Sequence, residues 1–595
     1  MTAKRVILNA AIAIFSCATI FVTTAQAVQP AQSETRQSGT SQESSATLRT
    51  EPTLKARTRL VLLDVVATDG KGAAVTDLKQ DEFALTEDGK KQQIRALSFQ
   101  DSRVRSNPPA EASTMRKAAL PPNVFTNIHA TRQTGALNIL LLDGLNTRMD
   151  NQAYVRDQLL KFLERLPEDQ PVAIYLLGVK LRMLQDFTDN PETLKTVLRN
   201  FKIPHSPLME NAAGGQENFW LEGMFVPANV KQRILEFQQQ SDASQTDSRV
   251  ALTLSALKTL ANNVAGHPGR KNLIWVSEAI PIAFEPTLAP GSGTRQDYAP
   301  AISDVANLLA NAQVAVYPVD ARALVTDGPT AADEYDRRGN RNGSGGGQAG
   351  QAINDIHQEL SVAHDAMNRI AEYTGGRAFY NQNDIDNAVQ QSMEDGSTSY
   401  TLGYYPENKS WNGRFRKISV KVSRPGVKLR FRLGYFAIDP QSYEKQSQDR
   451  RDADFSITLT PDIPDATALS FVAGVLPPSP KTGSKAIINF AVEPQNLSFL
   501  DENDGNKHAN VACAVRVFRI SGGEPIKTEV TNVAANLPPE SYRKVGQTGV
   551  PCRTELALAA GDYLLRLGVR DNHTGLIGTA NAHLTVPSEA AGNKP

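Results

Sequence analysis

Cysteine is scarce in this sequence: its 595 residues include only three. That number excludes a small disulfide-framework protein and a zinc site built from four cysteines. Histidine is also scarce, and the eight residues contain no HExxH pair. Lys plus Arg and Asp plus Glu both total 63, so the overall charge gives no support for binding to nucleic acid or to anionic lipid. Hydrophobic residues at 40% and charged residues at 21% are typical of a folded globular chain.

A signal peptide is predicted over residues 1–27. Lys4 and Arg5 precede a mostly apolar run from Val6 to Val22, and Ala25-Gln26-Ala27 matches the small-x-small cleavage pattern. A membrane anchor is the alternative, but the apolar run is short for a spanning helix. We therefore expect a secreted or periplasmic protein that has no membrane span after cleavage.

Four folded segments are predicted beyond a flexible linker at 28–56, which is rich in Ser, Thr and Gln. They are an N-terminal β module at 57–101, an α/β domain at 130–385, a β hairpin module at 397–437 and a β-rich domain at 455–587. In the last segment, short alternating strands separated by turn signals predict an immunoglobulin-like β-sandwich.

The central segment alternates apolar strands with helices. The strand Leu137–Asp143 is followed by helical spacing from Asp150 to Leu166, and the alternation continues to a short strand at Arg377–Tyr380. This pattern predicts a doubly wound, Rossmann-like parallel sheet that is covered on both faces. Ligands of such sheets bind at the carboxyl ends of the strands, near the topological switch point. The loop Asp143-Gly144-Leu145-Asn146-Thr147 begins at one of these strand ends.

Here the chain resembles the von Willebrand factor A domain, over about 137–380. The more specific resemblance is to the acidobacterial family of von Willebrand factor A-related secreted proteins, and it spans roughly 57–436. Its motifs are Val65-Val66-Ala67-Thr68-Asp69-Gly70, Asp81-Glu82-Phe83, Glu87-Asp88-Gly89-Lys90, Leu142-Asp143-Gly144-Leu145-Asn146-Thr147, Gln185-Asp186-Phe187-Thr188, Tyr373-Thr374-Gly375-Gly376 and Tyr400-Thr401-Leu402-Gly403-Tyr404.

The resemblance implies a divalent-cation site that holds Mg²⁺ or Mn²⁺. The family pattern is Asp-x-Ser-x-Ser on the first loop, with a Thr and an Asp from later loops. Asp143 and Thr147 match its ends, whereas Leu145 replaces the middle Ser and Asn146 would lend its carbonyl instead. The list of implied ligands is Asp143, Asn146, Thr147, Ser206 near the expected Thr, and Glu278 in place of the last Asp. One interpretation is an altered cation site; the other is an inherited loop in which Asp143 and Thr147 only cap the next helix or form local hydrogen bonds.

We expect a non-enzymatic binding or scaffold protein, since the resemblance implies contacts with a protein partner whose identity the sequence does not reveal. The alternatives are a structural envelope protein with a degenerate metal site and an uncharacterised hydrolase. A serine hydrolase lacks support because the sequence contains no GxSxG motif. His357 and His364 share a predicted helix, but no third metal ligand is identifiable, so we interpret them as ordinary helix residues.

A disulfide is predicted between Cys513 and Cys552. They are the two cysteines that remain after removal of the leader, and an oxidising compartment permits their pairing. Both lie in the final β-rich segment, so a sandwich could bring them together. The alternative is two buried free thiols that act as small apolar core residues.

Overall fold

A computed structural model of the chain describes residues 60–101, 121–128, 136–166, 170–200, 208, 227–281, 298–322, 346–382, 384–439, 442–479, 482, 484–501 and 504–587. The predicted signal peptide and linker, together with Ser206, lie outside the described residues. Among those that are described, no helix combines the length and the apolar character needed to cross a membrane.

The elements follow one another in three groups along the chain. The first group is β1 (Val61–Thr68), β2 (Phe83–Glu87), β3 (Lys90–Gln92), β4 (Ile94–Asp101) and β5 (Val124–Thr126). The central group is β6 (Leu137–Asp143), α1 (Met149–Glu164), β7 (Val172–Leu177), β8 (Leu181–Thr188), α2 (Pro191–Asn200), α3 (Ala228–Val264), β9 (Lys271–Ser277), α4 (Ala299–Asn311), β10 (Val314–Asp320), α5 (Gly346–Thr374) and α6 (Ile385–Gly396). The last group is β11 (Thr398–Tyr404), β12 (Phe415–Val422), β13 (Lys428–Phe431), β14 (Gly434–Phe436), α7 (Gln448–Thr458), β15 (Phe471–Leu476), β16 (Ala486–Val492), β17 (Leu500–Asp501), β18 (Lys507–Arg519), β19 (Lys527–Leu537), α8 (Pro539–Thr548), β20 (Val550–Leu556), β21 (Gly561–Asp571) and β22 (Ile577–Val586).

The central group forms a five-stranded sheet in the order β10-β9-β6-β7-β8. The first four strands are parallel, and β8 is antiparallel at the edge. All residues of β6, β7, β9 and β10 are buried, because helices cover both faces. Ile139 and Leu141 pack with α3, α4 and α5, whereas Leu140 and Leu142 pack with α1, α2 and α6. The predicted mixed α/β architecture is confirmed, and its core is a doubly wound sheet.

Two boundaries within this domain differ from the sequence prediction. Helix α3 begins at Ala228, although apolar spacing predicts a start only at Arg249. The residues from Gln238 to Ser248 are polar apart from Ala243, so this part of the helix carries no hydrophobic periodicity. The segment Arg377–Tyr380 contributes one parallel bridge, between Val319 and Phe379, instead of a strand. Helix α5 does end where its two glycines predict, since Gly375 takes a φ of +81° that glycine adopts without strain.

The first and last groups share two further sheets. Strand β1 pairs with β11 and β13, and β2 pairs with β12, which gives the orders β13-β1-β11-β4 and β14-β12-β2-β3. Leu63, Leu85 and Leu402 belong to their common apolar core. The segments 57–101 and 397–437, which were predicted to be two separate modules, are therefore interleaved. Local sequence patterns do not indicate which distant strands pair, so this arrangement could not be predicted from the sequence.

The carboxyl-terminal part contains two antiparallel sheets around one core. One has the order β20-β16-β15-β5, and the other has the order β17-β18-β21-β22 with β19 beside β18. A disulfide joins Cys513 on β18 to Cys552 on β20, with Cα atoms 6.6 Å apart, so the predicted bridge links the two sheets. Strand β5 reaches this region from the other end of the chain and pairs with β15.

Candidate functional site

The topological switch point of the central sheet lies between β6 and β9. These strands are parallel neighbours, while the chain leaves β6 toward β7 on one side and returns to β9 on the other. Asp143 ends β6 and Ser277 ends β9. Polar side chains from two separate segments therefore meet at the carboxyl ends of adjacent strands, where doubly wound sheets bind ligands.

Asp143 is the centre of a buried hydrogen-bond network. Its Oδ1 atom accepts bonds from the backbone N–H groups of Leu145 and Asn146, at 3.0 and 2.8 Å. Its Oδ2 atom accepts bonds from Trp275 Nε1 at 3.0 Å and Ser277 Oγ at 2.8 Å. Burial raises the pKa of the Asp143 carboxyl group, although hydrogen bonds from Asn146, Ser277 and Trp275 act in the opposite direction. The carboxyl group thus ties the loop after β6 to the end of β9.

Asn146 connects this network to helix α3. Its Nδ2 atom donates to both oxygens of Asp143 and, over 3.2 Å, to Thr253 Oγ1. Asn146 and Thr253 are fully buried. The Asn146 Oδ1 atom has no hydrogen-bond partner in the described part of the chain, so it is one oxygen here that a water could engage.

Thr147, on the loop after β6, contacts Glu278, which directly follows β9. The backbone N–H of Glu278 donates to Thr147 Oγ1 over 3.2 Å. The Glu278 carboxylate accepts from the Arg148 backbone N–H at 2.9 Å and from Asn151 Nδ2 at 3.0 Å. It also forms an ion pair with the Arg148 guanidinium, with Nε and Oε1 2.7 Å apart. The Glu278 side chain is 5% exposed, so this ion pair compensates a nearly buried charge.

The structure brings together four of the five predicted ligands, Asp143, Asn146, Thr147 and Glu278; the fifth, Ser206, lies outside the described residues. Sequence reasoning missed Thr253, Trp275 and Ser277. A polar residue at the end of an apolar strand was the available signal for Ser277, whereas nothing local marks Trp275 or Thr253.

The described side chains do not fit a divalent cation in this arrangement. Mg²⁺ requires oxygen ligands, but the Asp143 oxygens face N–H donors from Trp275, Asn146 and the backbone. The indole N–H has no acceptor capacity, so it cannot turn to become a ligand. Glu278 is engaged by Arg148 and Asn151. A cation would have to displace these donors, and the guanidinium already supplies positive charge.

A second polar cluster lies at the carboxyl end of β10. Asp320 accepts bonds from the Arg322 side chain at 2.9 Å and lies 3.1 Å from His364 Nε2. The His364 ring stacks on Tyr380, with centroids 4.1 Å apart. Burial opposes ionisation of Asp320, but the bonds from His364 and Arg322 outweigh it and lower the pKa of the carboxyl group. His364, which the sequence predicts to be a helix residue and not a metal ligand, thus connects α5 to the end of β10.

Comparisons with known proteins found similar solved structures but no similar sequence. No family model matches the chain, and no curated protein sequence matches it. Similar solved structures include a von Willebrand factor type A protein from Catenulispora acidiphila, which is 7% identical, covers 84% of this chain and 75% of that chain, and has a TM-score of 0.19. The ArnB paralog VWA2 from Sulfolobus acidocaldarius is 8% identical, with coverages of 76% and 66% and a TM-score of 0.18. BatB from Bacteroides thetaiotaomicron is 10% identical, with coverages of 44% and 99% and a TM-score of 0.21. At these TM-scores the similarity carries no argument about fold or function, so the proposals below depend on the geometry of the site.

Proposed function

We propose that this chain is a secreted or periplasmic binding or scaffold protein, without enzymatic activity, that contacts a protein partner through the carboxyl edge of its central sheet. One observation carries the proposal: Asp143 holds the loop after β6 rigidly against β9 at the switch point. The loop itself is buried, but its anchoring fixes the backbone that leads into the partly exposed Arg148 and the exposed Met149. Side chains on a fixed backbone lose little conformational entropy on binding.

Site-directed crosslinking tests the location of the binding surface. A photoreactive amino acid would replace Met149, whose side chain is 57% exposed beside the site. The matched control replaces Ile520, which is 59% exposed in the carboxyl-terminal part. With the mature protein in envelope extract, we expect a discrete adduct from position 149 and none from position 520. Equal labelling from both positions, or none from either, would contradict the proposal and favour a purely structural envelope role.

We further propose that binding does not depend on Mg²⁺ or Mn²⁺, because hydrogen-bond donors occupy the positions around Asp143. Isothermal titration of the mature protein with each cation should show no saturable heat, and EDTA should leave the crosslink from position 149 unchanged. Saturable binding that Asp143→Ala abolishes would instead establish the altered cation site.

Export is proposed from the signal-peptide pattern alone. Amino-terminal sequencing of the extracytoplasmic protein should begin at Val28. An intact Met1 on the mature species would contradict cleavage.

The carboxyl-terminal part is proposed to be an immunoglobulin-like sandwich. Its two antiparallel sheets and the Cys513–Cys552 bridge between them support this assignment. An experimental structure of the mature protein would test it through the order of the strands.

A further inference from the structure

Strand β4 forms one edge of the sheet β13-β1-β11-β4. It pairs antiparallel with β11. Within the part of the chain that the structure describes, the backbone groups of Ala96 to Gln100 have no partner other than β11. Ser98 and Phe99 are exposed on this strand. One row of backbone N–H and C=O groups is therefore open to a further strand.

The residues of β4 do little to prevent another strand from pairing there. Edge strands are commonly protected by a charged side chain, a proline or a bulge in the middle of the strand. Residues Ala96 to Gln100 include no charge, no proline and no glycine. The opposite edge of the same sheet differs, because β13 contains Lys428 and Arg430. Two copies of β13 would oppose like charges, whereas two copies of β4 would not.

Phe99 provides an apolar surface beside this open edge. Its ring packs on Tyr400, with centroids 4.9 Å apart, yet 40% of the residue is exposed. Leu97 lies two positions before it on the same face and is partly buried against the core that the two interleaved sheets share. Side chains directly opposite each other on paired strands make contact, and pairs of aromatic and aliphatic side chains stabilise a sheet. An added strand therefore gains most when it carries an apolar side chain opposite Phe99.

A second copy of β4 is such a strand when the two copies run antiparallel about Ser98. Leu97 of one copy then lies opposite Phe99 of the other. Arg95 and Asp101 are each three residues from Ser98, so this register also places Arg95 opposite Asp101 of the second copy. By symmetry each of these pairs occurs twice, which makes the strand complementary to itself in both apolar character and charge.

The two charged residues are suited to this pairing. Arg95 is exposed and forms no ion pair with any of the described residues. Asp101 already has an interaction within its own chain, and an ionised carboxylate has acceptor sites for a further donor.

From the open edge, the exposed ring and this order of residues we infer that the protein forms a symmetric dimer by antiparallel pairing of β4 with β4 of a second copy. The pairing joins the two sheets into one sheet that continues across the two-fold axis. One pair of strands buries less than the roughly 1,200 Å² of a stable interface. The dimer is therefore weak, and its population depends on the protein concentration.

Analytical ultracentrifugation of the full mature protein over a range of concentrations tests the inference. We expect a reversible equilibrium between monomer and dimer. Hydrogen exchange of residues 96–100 should slow as the protein concentration increases, because the open N–H groups become bonded. Exchange in β22, which is also an edge strand, should not depend on concentration. A monomer at every concentration, or a dimer that leaves exchange of residues 96–100 unchanged, would overturn the inference.

The substitution Ser98→Lys locates the interface. It places two ammonium groups opposite each other at the two-fold axis and should abolish the dimer. Because Ser98 is exposed, the monomer should keep the melting temperature of the parent. The matched control is Ala84→Lys, at an exposed position on β2, which lies between two other strands; it should leave the equilibrium unchanged. Equal dimer formation by Ser98→Lys and the parent would overturn the assignment to β4.

The substitution Arg95→Gln tests the register. It removes both pairs between Arg95 and Asp101 and should raise the dissociation constant of the dimer by about 2- to 30-fold at low ionic strength, as expected for two exposed ion pairs. High salt should reduce the difference between this variant and the parent, because exposed charges are screened. Equal dissociation constants for the two proteins at low ionic strength would contradict the register centred on Ser98.

Discussion

The indole Nε1 of Trp275 donates a hydrogen bond to Oδ2 of Asp143 over 3.0 Å. The two residues are 132 positions apart in the sequence and lie on adjacent parallel strands. This bond orients the carboxylate that anchors the loop after β6. It also places a donor that cannot accept a bond at the point where a cation would need an oxygen ligand.

Asp143→Asn should destabilise the central domain by about 3 kcal/mol, because the new amide NH₂ would face N–H donors and leave buried groups unsatisfied. Hydrogen exchange of residues 143–148, with urea unfolding, measures the effect. Asp157→Asn on the exposed face of α1 is the matched control, and it should change stability by no more than about 0.5 kcal/mol. An Asp143→Asn protein as stable as the parent would show that the network does not hold the loop.

Lys271 should make the stability of the central domain increase with pH above neutrality. Burial lowers the pKa of its ammonium group to about 7, against an opposing effect of Asp64. The pKa of an unperturbed lysine is about 10.4. Between about pH 7 and pH 10.4 the unfolded chain therefore binds more protons than the folded protein, and the free energy of unfolding rises with pH.

Urea unfolding of the parent and of Lys271→Met at several pH values between about 7 and 10 tests this dependence. The difference between the two free energies should change by up to about 1.4 kcal/mol per pH unit. The exposed Lys90→Met serves as the control substitution. Parallel curves for the parent and Lys271→Met would contradict the prediction.

Removal of the disulfide should destabilise the carboxyl-terminal part alone. The Cys513–Cys552 bridge closes a sequence separation of 39 residues, for which loop entropy gives about 4 kcal/mol as an upper value. Cys513→Ala combined with Cys552→Ala should therefore lower the melting temperature of this part and leave the central sheet unaffected. Mass spectrometry of unreduced, alkylated protein provides the check, and two alkylated thiols per chain would eliminate the bridge.

Asn127→Ala should loosen the carboxyl-terminal sheets from a position far away in the sequence. Asn127 is buried, donates to the carbonyls of Ala466 and Leu469 at 2.7 Å, and accepts from the Phe471 N–H at 3.1 Å. Loss of these bonds should cost about 3 kcal/mol and accelerate hydrogen exchange in β15. Ile128→Ala, at a neighbouring exposed position, is the control. Unchanged exchange in β15 would show that Asn127 does not support this sheet.

The sequence by itself determined the alternation of strands and helices in the central domain. Apolar runs such as Leu137–Asp143 are typical of strands that are buried on both faces. It also indicated the loop Asp143–Thr147, since a polar residue at the end of such a run lies at the carboxyl edge of a sheet. The pairing of Cys513 with Cys552 was predicted because they are the two cysteines outside the predicted signal peptide. These features depend on residues that are close in sequence or few in number.

Only the tertiary structure decided which distant segments meet. The pairing of β1 with β11, the insertion of β5 beside β15 and the bond from Trp275 to Asp143 all join parts of the chain that carry no local sign of one another. The chemistry of the site depends on the bond from Trp275 to Asp143. Asp143 could either bind a cation or anchor the loop through hydrogen bonds. The groups that surround its carboxylate oxygens in the folded protein decide which of these it does.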